Sequence, residues 1–277
     1  MAAPDFLIIG AMKCGTSTLQ AQLAAQPGIF MTTPKEPNYF SDDAIFARGE
    51  AWYSGLFDGA APGDLTGEAS THYTKLPTYP DTLDRMAARL DRPRFIYLMR
   101  DPLERAISHY IHDWSQGLLP DDPVAAFEST PELAAYSRYG MQLAPFVSRY
   151  GRDSILLLRL EWMQADPQGT LSRVGDFLGK PNLRWNAELG AQNVSAERVR
   201  RLPMHGLIVD NPVAKALRRS LVPKAVRTRI REGRQMRGRP DLPERLRARL
   251  EGIFAEDRAH LAELFPGDPA VDFEAAP

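Results

Sequence analysis

Apolar residues along the chain gather into short unbroken runs, each closed by small or polar residues and followed by a helical stripe. Phe6-Leu7-Ile8-Ile9 ends at Gly10; past the polar stretch from Ala11 to Thr18, Leu19, Leu23 and Ala24 recur at helical spacing. An unbroken apolar run is what a strand buried on both faces requires, so this opening reads strand, loop, helix. Arg94-Phe95-Ile96-Tyr97-Leu98-Met99 repeats the pattern and stops at Arg100-Asp101-Pro102. There Asp101 suits a helix N-cap and Pro102 a first helical position, and Leu103, Ala106, Ile107, Tyr110 and Ile111 supply the stripe. A third run, Ser154 to Leu160, precedes Leu171, Val174, Phe177 and Leu178. Three strand–helix units predict a parallel sheet covered on both faces. Near the end, Leu246, Leu250, Phe254, Leu261 and Leu264 mark an amphipathic helix between Leu242 and Phe265. No repeat and no long linker interrupts the pattern, and one domain over 1–277 is expected.

Composition narrows the classes. A chain of 277 residues with 44% apolar and 25% charged positions can build a large core, which excludes a disordered chain, a fibre or a disulfide scaffold. A formal charge of −1 argues against a nucleic-acid partner. The basic residues are mostly arginine, whose planar fork suits anions. They crowd between Lys215 and Arg239, which reads as a solvated helix face passing into a Gly- and Arg-rich loop. Cys14 is the single cysteine, the start lacks a signal-peptide pattern, and no apolar stretch approaches the roughly 20 residues of a bilayer span. A cytoplasmic location with no membrane span is expected. Five scattered histidines and one cysteine suggest no metal site.

The first loop carries the most specific chemistry. Gly10 and Gly15 have the Gly-x-x-x-x-Gly spacing of a phosphate-binding loop between strand and helix, where backbone N–H groups and the positive helix end form a nest for oxyanions. A nucleotide-hydrolysing loop would place lysine after the second glycine; here Thr16 fills that slot and the lysine is Lys13. Thr16, Ser17 and Thr18 can add hydroxyl donors. The plainer reading is a tight turn with Thr16 or Ser17 capping the helix.

Lys13-Cys14-Gly15-Thr16-Ser17-Thr18-Leu19 resembles the 5′-phosphosulfate loop of sulfotransferases that use 3′-phosphoadenosine-5′-phosphosulfate. Arg100-Asp101-Pro102 through Arg105 and Ser108 is similar to the family's 3′-phosphate segment, and Lys35-Glu36-Pro37-Asn38-Tyr39-Phe40 to the segment with the catalytic glutamate of its carbohydrate-modifying, heparan-type branch. The resemblance implies an α/β three-layer fold with a central parallel sheet like that of P-loop kinases. It also implies a donor, 3′-phosphoadenosine-5′-phosphosulfate, used without a metal. Lys13 would stabilise the leaving phosphate, and Cys14, Gly15, Thr16, Ser17 and Thr18 would line its loop. Arg100 and Ser108 would hold the 3′-phosphate, and Arg237 and Gly238 would belong to a C-terminal loop closing over it. Arg100 could instead pair with Asp101 or Glu104, and Ser108 could be a surface serine.

For the acceptor base there are two candidates, Glu36 and His72, the latter in Gly67-Glu68-Ala69-Ser70-Thr71-His72-Tyr73 and similar in position to the histidine of the small-molecule branch. His72 has the better intrinsic pKa, about 6.5, and Glu36 the longer match. Ala69 stands where the heparan-type branch often has lysine, which favours a small-molecule or glycoside acceptor over an extended polysaccharide. Other readings are a kinase or NTPase of related fold and a non-catalytic nucleotide-binding module. Near Lys13 and a helix start, the Cys14 thiolate could be favoured, though catalysis does not require it.

Overall fold

The computed structural model describes residues 3–190, 236 and 238–274. Five parallel strands form one sheet: β1 (Phe6–Gly10), β2 (Ile29–Met31), β3 (Leu65–Ala69), β4 (Arg94–Met99) and β5 (Ile155–Arg159), in the order β2-β3-β1-β4-β5. β1 is central and buried throughout, which is why its sequence is uninterrupted in apolar residues. The three expected strands are present. β2 and β3 are additional; β2 has only three residues, and β3 (Leu-Thr-Gly-Glu-Ala) buries a glycine and a carboxylate where an apolar run would be looked for.

The longer helices are α1 (Thr16–Ala24), α2 (Pro102–Ser115), α3 (Tyr139–Tyr150), α4 (Pro167–Leu178) and α5 (Glu244–Leu264), with shorter helical turns between them. The Asp101 side chain caps α2 by accepting from Glu104 N at 2.8 Å, with Pro102 in the first turn as expected. The apolar stripe of α2 packs with Leu242, Leu246, Leu250 and Phe254 into a second core beside the one around the sheet. Within the α5 stripe, Asp257 is buried between Phe254 and Leu261, and its carboxylate accepts from Gly140 N at 2.8 Å and Met141 N at 2.9 Å. An acid occupies an apolar position because it satisfies the first amides of α3. Among the described residues no helix is long and apolar enough to cross a membrane.

Candidate active site

Every expected site segment within the described residues before the C-terminal loop leaves the carboxyl end of a strand or starts the helix that follows. The Gly10–Gly15 loop follows β1, Lys35 and Glu36 follow β2, His72 follows β3, and Arg100 follows β4. From β1 the chain moves to β2 and β3 on one side and then to β4 and β5 on the other, so the sheet's order reverses between β1 and β4. Ligands of open parallel sheets bind in the crevice at that reversal. The two strands are joined there by Ala11 N donating to Leu98 O at 2.7 Å.

Gly10 is hemmed in: a Cβ would strike Thr74 Oγ1 and the Tyr97 ring, and Thr74 Oγ1 donates to Ile9 O at 2.6 Å. Gly15 is the N-cap of α1 with φ 87°, a left-handed conformation suited to glycine, and no side chain caps the helix. The reading of Thr16 or Ser17 as a cap is thereby corrected, and the positive end of α1 is left to the loop. Thr16 and Thr18 are buried and Ser17 is half-buried. Lys13 has φ 71°, unusual for a side-chain-bearing residue and of the kind of strain that collects at functional sites. Burial lowers the Lys13 pKa; the charge of Asp113 opposes that shift and the charge of Arg100 adds to it. Cys14 differs from expectation. It is fully buried, burial pushes its thiol up to about 11, its N–H is given to Ala11 O at 3.2 Å, and its sulfur lies 3.8 Å from Tyr139 Oη. The favoured thiolate is corrected, because core packing outweighs the nearby cations.

The second segment gathers charge at the start of α2. Arg100 Nη2 lies 3.5 Å from Glu104 Oε2, while its Nε is buried without a hydrogen-bond partner. Arg239 Nη2 reaches the same carboxylate at 2.5 Å. The alternative ion pair of Arg100 therefore forms with Glu104, and Asp101 is occupied as the cap. Ser108 is buried on α2 and is not the surface serine of the plainer reading. Gly238 has φ 90° with open space around it; Arg237 lies outside the described residues.

Glu36 is held rigidly. Its φ is 60°, its N–H donates to Ala69 O at 2.9 Å, and its Oε2 accepts from Thr71 N at 2.8 Å; Oε1 is paired with Lys35. This ties the Glu36 loop to the residue before His72. His72 stacks on Tyr79 with centroids 4.8 Å apart, and burial pushes its pKa down to about 4. The intrinsic advantage expected for His72 is thus lost, because its surroundings disfavour the imidazolium.

Sequence reading passes over Lys75, His109 and Asp113. Burial pushes Lys75 down to about 8, with Glu36 and Asp113 pulling the other way. Burial raises Asp113, but a hydrogen bond from His109 and the surrounding charges outweigh it and hold it low. His109 Nε2 lies 3.1 Å from Asp113 Oδ2, and burial takes His109 to about 4, so a neutral imidazole donates to a carboxylate. Electrostatic attraction thus links Lys13 to Asp113, and Lys75 to both Glu36 and Asp113. The available signal was the four-residue spacing of His109 and Asp113 on the helix that carries Ser108. Burial pushes the fully enclosed Glu68 carboxyl of β3 up to about 7, against the pull of the Tyr73, Tyr53 and Ser70 hydroxyls, and the charge of Glu36 adds to the rise.

An uncapped helix start behind a Gly-x-x-x-x-Gly loop at the switch of a parallel sheet defines an α/β protein of the phosphate-binding-loop class. Within that class the sulfotransferase domain matches residues 3–224, and the chain belongs to this family. The chain is 30% identical over 189 residues to heparan sulfate glucosamine 3-O-sulfotransferase 3B1 of Mus musculus, covering 64% of this chain and 46% of that protein. It is 34% identical over 113 residues to the membrane-associated sulfotransferase kil1 of Dictyostelium discoideum, covering 40% and 23% respectively. The chain spans less than half the length of these curated relatives. Among solved structures, a sulfotransferase from Alicyclobacillus acidocaldarius superposes with a TM-score of 0.66 at 23% identity, covering 97% of this chain and 98% of that one.

Proposed function

We propose that the protein transfers a sulfuryl group from 3′-phosphoadenosine-5′-phosphosulfate to a hydroxyl of a carbohydrate or small-molecule acceptor. The observation that supports this reading is that the Lys13 loop and Arg100, the two segments proposed here to bind anions, follow the adjacent central strands β1 and β4. A nucleotide with phosphates at both 5′ and 3′ positions matches that pair. The heparan sulfate glucosamine specificity in the name of the mouse relative supports a carbohydrate hydroxyl.

In the proposed reaction the acceptor oxygen attacks sulfur as the bond from sulfur to the bridging phosphate oxygen breaks. The acceptor proton passes to Glu36, whose carboxylate is fixed by Thr71. Lys13 faces the oxygen that gains charge, so its ammonium acts mainly in the transition state. By analogy with phosphoryl transfer, positioning and electrostatics carry most of the catalysis. The test is turnover with this donor over a panel of alcohols, glycosides and amines, followed by mass gain of the acceptor. Sulfation of a hydroxyl is the expected result. Phosphorylation with ATP and Mg²⁺, or nucleotide binding without turnover, would overturn it.

A further inference from the structure

Tyr139, the first residue of α3, is 1% exposed, and its hydroxyl meets both donor-side loops. It donates to Arg100 O at 2.9 Å, accepts from Arg100 N at 3.4 Å, and lies 3.8 Å from Cys14 Sγ. The phenol's one proton is committed to Arg100 O, and the Cys14 thiol faces two acceptors, Met12 O and Tyr139 Oη, each at 3.8 Å. One oxygen atom therefore touches the loop that leaves β1 and the peptide that leaves β4.

The neighbouring residues reinforce this grip. Ser137 Oγ donates to Pro102 O at 2.8 Å and accepts from Arg105 Nε at 2.5 Å. Arg105 is wholly buried, and its Nη2 donates to Leu133 O at 2.6 Å. Behind the clamp, Asp257 of α5 holds the amides of Gly140 and Met141, and the Tyr139 ring lies against Tyr97 and Phe273. The hydroxyl is thus mounted on a fixed base.

We infer that Tyr139 is a positioning residue that sets the spacing between the two phosphate subsites, so that preference for a nucleoside 3′,5′-bisphosphate depends on its hydroxyl. The inference rests on the donor reading above. The two phosphates of such a nucleotide are held apart by one ribose, so their subsites must keep their separation to about 0.5 Å. Arg100 follows directly from a strand end, and the phenol holds both its backbone N–H and its backbone C=O.

The experiment is calorimetric titration of the full chain with 3′-phosphoadenosine-5′-phosphate and with 5′-AMP, for wild type and Tyr139→Phe. The ring and its packing survive this substitution; the three polar contacts do not. The expected result is a loss of roughly three- to tenfold in preference for the bisphosphate, with 5′-AMP affinity changed by less than about twofold. A folded variant with the wild-type preference overturns the inference, and so does an equal loss for both nucleotides, the mark of general loosening. If Tyr139→Phe does not fold, Ser137→Ala is held to the same ratio. A wild-type protein with no preference for the bisphosphate would sink the donor reading and this inference with it.

Discussion

Arg239 closes on Glu104 across 135 positions of sequence, its Nη2 lying 2.5 Å from the carboxylate and donating to the Glu104 carbonyl at 3.2 Å. Arg100 approaches the same carboxylate at 3.5 Å, so one acid draws two guanidinium groups to the start of α2. This places a residue of the C-terminal loop beside the proposed 3′-phosphate subsite. Arg239→Ala is expected to weaken 3′-phosphoadenosine-5′-phosphate by roughly tenfold, the scale of a lost charge-assisted hydrogen bond, and to leave 5′-AMP nearly unchanged. Titration with both nucleotides checks it.

Arg100→Ala and Ser108→Ala test the same subsite from α2. Both should lower the preference for the bisphosphate, Arg100→Ala the more, since it also removes the buried Nε donor that has no protein partner. If both variants keep the wild-type affinity ratio, the second phosphate binds elsewhere.

Lys13→Ala should reduce kcat on the order of a hundredfold, with the affinity for the bisphosphate product changed much less. The reason is differential: the ammonium meets charge that develops only as the bridging oxygen departs. Single-turnover rates at saturating donor separate the two effects, and wild-type rates in the variant would remove Lys13 from the chemistry.

Glu36→Gln keeps shape and removes basicity, and is expected to lose roughly a hundredfold or more in turnover while binding donor normally. His72→Asn should lose less than about tenfold. Burial holds the His72 imidazole neutral with a pKa of about 4, a poor acceptor of the proton. Losses in the reverse order would make His72 the base.

Glu68 gives a prediction in pH. Its folded pKa is raised from the ordinary 4.5 to about 7, so the folded state binds this proton more tightly than the unfolded state. The group's contribution is fully present below about 4.5 and is lost as pH rises through about 7, a loss of roughly 3 kcal/mol. Glu68→Gln should flatten that decline. Urea unfolding of both proteins at about pH 5 and about pH 8 measures it, and identical pH slopes would contradict the assignment.

Sequence alone determined the elements whose burial is written in local pattern. The apolar runs of β1, β4 and β5, the stripe of α2 and its Asp101-Pro102 start needed no knowledge of neighbours, because strand and helix periodicities are local. The two glycines of the first loop were legible for the same reason. Tertiary structure decided the rest. β3 was hidden because Gly67 must admit the Phe6 ring and Glu68 is buried among hydroxyls, environments supplied by other segments. Cys14 became an inert thiol and His72 a weak base through desolvation, which depends on what packs over a group and not on its neighbours in sequence. The placing of the Lys13 loop beside Arg100 follows from strand order: parallel strands deliver distant loops to one edge of the sheet, and only the assembled order says which are neighbours; the contact of Tyr139 with Arg100 then depends on how the helices pack.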